Sequence, residues 1–212
     1  MDAIALIGGG GHARVVLSIL NKLNRYRVVG YTDEKRTSSL SGISYLGNDE
    51  NLASVAAEND PLNAVLSVGQ IGLGTQRWKL WSQLAGVRLL FPSVISPDAV
   101  VNEGVAVSEA VVVMDGAVIN CGAVVGRGAI VNTNSTIEHD VLLGDWVHIA
   151  PGATVCGGTE IGRFSMVGAG ATIIQGVKIV EGCLIGAGAT VVKDLNEAGV
   201  YAGCPARLLR KV

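Results

Sequence analysis

A beat of six residues runs through the second half of the chain and constrains its fold more than any other feature. Stepping by six from Ile95 meets Val101, Val107, Val113, Ile119, Val125, Val131, Ile137, Leu143, Ile149, Val155, Ile161, Val167, Ile173, Ile179, Ile185 and Val191, seventeen aliphatic residues with no insertion. Four residues beyond each stands a small or short side chain in nearly every hexad, as at Ala117, Ala123, Ala129, Ser135, Ala153 and Ala189. Glycine often takes the position between, as at Gly116, Gly122, Gly128, Gly152 and Gly188. Six is neither the helical period nor a simple alternation. A short strand flanked by a bend accounts for it, with the aliphatic inward, the small residue at a corner and glycine where the backbone turns tightly. Three such faces close a triangular coil of eighteen residues. At about 4.8 Å per coil, just under six coils make a prism roughly 27 Å long.

Composition fits a narrow interior. Hydrophobic residues make up 49% and charged residues 16%, while aromatics are 4% and glycines number 29. Short aliphatics and glycine therefore fill the space that rings fill in a broad core. Just before the inward aliphatics, Val112, Val118, Val124, Ile130 and Leu142 point outward. Exposing such a stripe costs roughly 25 cal/mol per Å², so other copies of the chain are expected to cover it.

The first ninety residues follow a different rule. A buried strand over Asp2–Gly8 runs into Gly8-Gly9-Gly10-Gly11-His12, and an apolar-periodic helix continues through Val15, Val16, Ile19, Leu20 and Leu23. A strand at Arg27–Tyr31 ends near Asp33; a helix from about Asp49, a strand at Ala64–Val68, a helix at Thr75–Ala85 and a strand at Arg88–Phe91 follow. Alternating β and α elements imply a small parallel sheet with helices on its faces. Gly8, Gly10 and Ala13, with Asp33 further on, match a loose dinucleotide fingerprint. Its bare backbone suits a tight turn, an NAD(P) phosphate or a nucleotide-linked sugar, in each case at a helix N-terminus.

Several classes are excluded or disfavoured. Net charge is −2 and basic residues do not cluster, so nucleic acid and anionic membrane are poor partners. No window approaches the roughly 18 apolar residues of a membrane span, and the N-terminus lacks a signal-peptide pattern, so a cytoplasmic protein is expected. Cys121, Cys156, Cys183 and Cys204 show no metal spacing and read as small buried thiols; no metal is implied.

Two of the three histidines fall within one span, Glu138-His139-Asp140 and His148. A histidine outside a β-helix wall with a carboxylate beside it is a candidate general base. A nucleophile that must shed a proton as it attacks needs such a base, and an oxyanion formed in the attack needs an N–H donor. Nine residues separate His139 from His148, half a coil, which puts them on opposite flanks of one prism. Where one flank of a subunit faces the opposite flank of its neighbour, His139 of one and His148 of the next are then expected to border one cleft.

The motifs together carry a resemblance. Gly-Gly-x-Gly-His at the N-terminus, Tyr31-Thr32-Asp33-Glu34, Asn132-Thr133, Glu138-His139-Asp140, Val147-His148-Ile149-Ala150-Pro151-Gly152, Gly157-Gly158 and Gly203-Cys204-Pro205-Ala206-Arg207 occur in that order. Over essentially its whole length the chain resembles the hexapeptide-repeat acyltransferases of the PglD type and the related NeuD type. That resemblance implies an N-terminal Rossmann-like α/β unit binding a nucleotide sugar (residues 1–92), a left-handed parallel β-helix (93–194) and a C-terminal tail packed on it (195–212). It implies a homotrimer that moves acetyl from acetyl-CoA to the 4-amino group of a nucleotide-linked 4-amino-4,6-dideoxy sugar, UDP before GDP or dTDP. Acetylation of a sialic acid or sugar hydroxyl is the alternative. His139 would be the base, supported by Asp140; His148 would position the thioester and the Gly157 N–H would serve the oxyanion. Coenzyme A would lie beside Gly168, Ala169 and Gly186, with Lys193 and Arg207 on its phosphates. Gly10, Gly11, His12, Asp33, Glu34 and Asn132 would hold the nucleotide sugar.

Overall fold

A computed structural model describes residues 1–37 and 40–212. The N-terminal unit is a four-stranded parallel sheet in the order β2-β1-β3-β4, with β1 Asp2–Ile7, β2 Tyr26–Thr32, β3 Leu62–Leu66 and β4 Leu89–Leu90. Helices α1 (Gly11–Leu23), α2 (Leu52–Glu58) and α3 (Thr75–Gln83) connect the strands. The helix expected from Asp49 begins as a 3-10 turn, Asp49–Asn51, and becomes α-helical at Leu52. β1 and β3 are buried over most of their length because helices cover both faces, which explains their unbroken apolar runs.

From Val94 onward the chain winds a parallel β-solenoid of about six turns. Two-residue strands pair with those eighteen residues away, for example Val112 with Val94 and Ile130, and Val124 with Ala106 and Leu142. Three flat sheets result. The first face carries strands from Val94–Ile95 to Leu184–Ile185, the second from Val100–Val101 to Thr190–Val191, and the third from Ala106–Val107 to Lys178–Ile179. Inward aliphatics and small corner residues stack into one core running from Val111 to Ala206. Val101, expected inward, is 37% exposed because the first coil has no coil beneath it on that face.

The corner between strands needs a left-handed residue. Most of these corners are glycine, with φ between 64° and 76° in cases such as Gly104, Gly116 and Gly128. Ala110, Asn134, Asp140, Trp146 and Phe164 hold the same conformation with a side chain attached. That conformation is disfavoured for residues other than glycine, and two of these five corners, Asp140 and Trp146, matter to the site.

The outward apolar residues divide by face, with Val118 half-buried on the second. Val112 and Ile130 are fully buried against Ile4, Leu6, Ala13 and Val16 of the N-terminal unit, so the expectation that another copy covers them is corrected. They lie on the first face, onto which the N-terminal unit folds. Val124 and Leu142, on the third face, are 40% and 45% exposed. Past the last hexad, Gly199–Ala202 adds in parallel to Leu184–Ile185, and Arg207–Lys211 returns antiparallel to it. The thiols also differ from expectation: Cys183 alone is buried, Cys156 is half-buried, and Cys121 and Cys204 are exposed.

All three tryptophans and both phenylalanines gather in one seam. Trp81 packs against Phe91 and Trp146, and Trp78 meets Phe164 edge-on. Gly74, just before α3, donates to the Phe164 carbonyl, and a Cβ there would sit 2.2 Å from the Trp146 carbonyl oxygen. The large rings missing from the prism core are thus spent on fixing α3 to its corner.

Candidate active site

His139 stands at the corner between the second and third faces, outside the prism and exposed. Its Nδ1–H donates to Asp140 Oδ2 at 2.9 Å. Asp140 holds a left-handed corner (φ 59°), and its carboxylate reaches the residue just before it. That bond fixes the ring's tautomer and leaves the Nε2 lone pair free. The hydrogen bond to Asp140 raises the His139 pKa; loss of hydration opposes it, and the charges of Asp140 and Glu138 add smaller upward contributions.

One coil further on, Gly157 lies over the imidazole. A Cβ on Gly157 would fall 2.6 Å from His139 Nε2, so only glycine leaves the free nitrogen uncovered. The Gly157 N–H donates to no group among the described residues, as an oxyanion donor requires.

His148 is in a different situation. It faces outward from the first face but is 6% exposed, because the loop after β3 covers it. Its Nδ1–H donates to the Gln70 carbonyl at 3.0 Å, and Asn132 Nδ2 donates to its Nε2 at 3.0 Å. Asn132 Oδ1 accepts the Thr133 N–H, which settles which end of the amide faces the ring. Both ring nitrogens are therefore taken within the chain. The expectation of a histidine open at a flank is corrected: His148 and Asn132 form the floor of a junction between the two units.

Two further groups enter that junction. His12, at the start of α1, lies against Gly69, and its buried Nε2 has no hydrogen-bond partner among the described residues. Arg77, on α3, is 1% exposed; its Nη1 donates to the Gly128 carbonyl and its guanidinium lies 5.9 Å from the Trp146 ring centre. Burial, more than the Arg77 charge, lowers the pKa of both His12 and His148 to about 4, and burial brings Arg77 down to about 10. Both imidazoles are thus neutral near pH 7, beside a guanidinium that stays charged.

The N-terminal glycines line a pocket of about 370 Å³ with His12, Thr32, Asp33, Glu34, Asp49 and Ser67. Gly10 and Gly11 are open, and a Cβ on either would meet nothing within 4 Å. Asp33 already accepts the Gly9 and Glu34 N–H groups at 2.7 Å each, which holds the loop in shape. Asp49 accepts the Thr32 hydroxyl, and Glu34 is exposed at the rim.

At the far end, Lys193 and Arg207 line one depression with Tyr201. Gly168 and Gly186 are glycine for packing reasons as well. A Cβ on Gly168 would lie 2.6 Å from the Ala187 nitrogen, and one on Gly186 would lie 3.1 Å from the Ala202 methyl. Ala169 is exposed beside Gly168. Gln70 and Arg77 escaped the sequence reading, because Gln70 acts through its carbonyl and nothing in the pattern of α3 sets Arg77 apart. One signal was available: Trp146 occupies a corner where most hexads have glycine. Among the described residues no group of His, Cys, Asp and Glu is arranged to hold a metal ion, and no helix is long and apolar enough to cross a membrane.

Residues 3–82 match the family model described as the PglD N-terminal domain, and residues 122–157 match that of the bacterial transferase hexapeptide with six repeats. Curated protein sequences give no match to the chain. Among solved structures, a histidine-to-asparagine variant of perosamine N-acetyltransferase from Caulobacter crescentus, in complex with CoA and GDP-perosamine, superposes with a TM-score of 0.92 at 31% identity, over 100% of this chain and 98% of that one. The acetyltransferase domain of PglB from Neisseria gonorrhoeae FA1090 gives 0.91 at 34% identity over 99% and 100%. WeeI from Acinetobacter baumannii AYE gives 0.85 at 25% identity over 99% and 100%. With the repeat, the N-terminal unit and this likeness in agreement over the full length, the chain belongs to the PglD-type nucleotide-sugar N-acetyltransferases of the hexapeptide-repeat family.

Proposed function

We propose that this protein transfers acetyl from acetyl-CoA to the 4-amino group of a nucleotide-linked 4-amino-4,6-dideoxy sugar, with His139 as general base. The observation that carries this reading is an imidazole tied through Nδ1 to a carboxylate, with its other nitrogen open beneath a glycine. The amine nitrogen forms a bond to the thioester carbonyl carbon while its proton passes to His139 Nε2, and the carbonyl electrons move onto oxygen. The Gly157 N–H receives that oxyanion. Collapse breaks the C–S bond, and the departing thiolate takes the proton from the imidazolium, leaving N-acetyl sugar and CoA. His148, neutral and doubly held, contributes a fixed wall and not a proton.

The nucleotide sits over the bare backbone of Gly10 and Gly11 at the start of α1, where a phosphate meets unpaired N–H groups. Glu34 at the pocket rim accepts an N–H of uracil or of guanine alike. The complex of a relative with GDP-perosamine favours testing guanine beside uracil. Coenzyme A lies along Gly168, Ala169 and Gly186, and its phosphates reach Lys193 and Arg207. Three copies associate through the third face, where Val124 and Leu142 otherwise stand in water at a cost proportional to their apolar area.

Acetyl-CoA consumption measured against UDP-, GDP- and dTDP-linked 4-amino sugars and free sialic acid tests the reading. Turnover is expected with one of the amino sugars. Turnover with sialic acid alone would replace an amine acceptor by a hydroxyl, and silence with every acceptor would remove the proposal.

A further inference from the structure

The repeat stacks equivalent positions of successive coils in register eighteen residues apart. On the second face, the position just after the inward aliphatic carries Asn102, Asn120 and Glu138 in three consecutive coils. Their side chains bond in one direction. Asn102 Nδ2 donates to Asn120 Oδ1 at 2.6 Å, and Asn120 Nδ2 donates to Glu138 Oε2 at 3.0 Å. A carboxylate only accepts, so it fixes the orientation of the Asn120 amide, and that amide fixes Asn102 in turn. The next position in the column is Cys156, so the ladder ends at the carboxylate. Among the described residues, Asn120 is the one side chain bonded to Glu138.

We infer that Asn120, steadied by Asn102, is a positioning residue of the transfer, and that it holds the Glu138 carboxylate beside His139. This rests on the proposed role of His139. A free glutamate carboxylate sweeps through many rotamers, and a bond to Asn120 restricts it to few. A hydrogen bond to an ionised acceptor is the stronger kind and suits that task. Held in place, Glu138 is a second negative charge next to the base, adding to Asp140. It stabilises the imidazolium that forms during transfer. By register, the residues stacked on Glu138-His139-Asp140 are Asn120, Cys121 and Gly122 one coil before and Cys156, Gly157 and Gly158 one coil after. The two carboxylates are the only charges in that set.

With three histidines in the chain, ring signals of the histidine-labelled full-length protein give a direct reading by NMR. His12 and His148 are held down near 4, which leaves His139, raised from the ordinary histidine value, as the signal that moves apart from them. Asn120→Ala is expected to lower the His139 midpoint by about 0.2–0.5 pH unit, the size of a partly exposed charge interaction. Glu138→Gln is expected to lower it at least as far, and the double variant to match Glu138→Gln alone, because Asn120 acts only through that charge. Asn102→Ala, one rung further away on an exposed coil, is expected to produce a smaller shift of the same sign, and it covers the case in which Asn120→Ala fails to fold. An unmoved midpoint in both asparagine variants, or an Asn120 effect that persists beside Glu138→Gln, would overturn the inference. Since the titration needs no turnover, the two failures are distinguishable: an active His139→Ala enzyme would dismiss the proposed base, and Asn120 with it as a positioning residue of the transfer, whereas unmoved midpoints beside an inactive His139→Ala enzyme would dismiss Asn120 alone.

Discussion

Two imidazoles of one solenoid, nine residues apart, have opposite chemistry. His139 projects from a corner into solvent, bonded to a carboxylate, and is a stronger base than free histidine. His148 projects from a flat face, but the N-terminal unit folds over it, and burial keeps it neutral to about pH 4. The repeat sets only where each ring emerges. What covers the ring decides whether it can exchange a proton near neutral pH, and the covering comes from a different part of the chain.

The contrast breaks first on activity. His139→Ala is expected to lower kcat by about 10²–10⁴-fold, the usual contribution of a positioned general base. A variant within threefold of the parent enzyme would mean that the exposed corner is not where the proton goes.

The second break lies in acid stability. His148 has a folded-state pKa of about 4 against an ordinary 6.5, so between those values the unfolded chain binds more protons than the folded one. Stability is therefore fully present above about pH 6.5 and is lost as pH falls toward 4, by as much as about 3 kcal/mol for this residue. His12 acts in the same direction, so pH alone does not separate the two. Urea unfolding from pH 4 to 7 on His148→Gln does: the slope should flatten relative to the parent protein. An unchanged slope would show that His148 is not buried as neutral imidazole.

How much of this was legible in the sequence follows the same division. The six-residue beat located every inward aliphatic from Val107 to Val191, since stacked coils repeat one environment and local pattern decides it. The Glu138-His139-Asp140 corner was legible for the same reason. What failed depended on contacts between the two units. Val112 and Val124 occupy equivalent hexad positions, yet one is buried by β1 and α1 and the other is open. Arg77 and Gln70 lie on elements whose own pattern gives no reason to single them out, and they matter only because α3 and the loop after β3 land on Trp146 and His148. No periodicity records where a second unit will dock.

A third test sharpens the view of the exposed ring. Gly157→Ala places a methyl 2.6 Å from Nε2, so the ring must turn away from Asp140. Displacing a catalytic group by about 1 Å costs up to 10²-fold, and a fall in kcat of roughly 10–100-fold is expected. Gly157 lacks the left-handed φ of the neighbouring Gly158, so alanine is compatible with its backbone and the thermal midpoint should change little. A large fall in that midpoint would instead make Gly157 a packing glycine like Gly168.

The smallest expected effect separates orientation from charge at the same corner. Asparagine tolerates the left-handed conformation about as well as aspartate, and in Asp140→Asn the amide oxygen still accepts the His139 Nδ1–H. The ring therefore keeps its place and tautomer, while the charge that raises its pKa is gone. A base whose pKa falls is deprotonated from a lower pH, so the rising limb of kcat/KM should move to lower pH by up to about one unit, with a modest loss on the plateau. The ring of His148, screened from this corner by the prism itself, should titrate as before. If the limb stays fixed while the plateau collapses, Asp140 acts by geometry alone, and the raised basicity of the exposed ring is incidental to the rate.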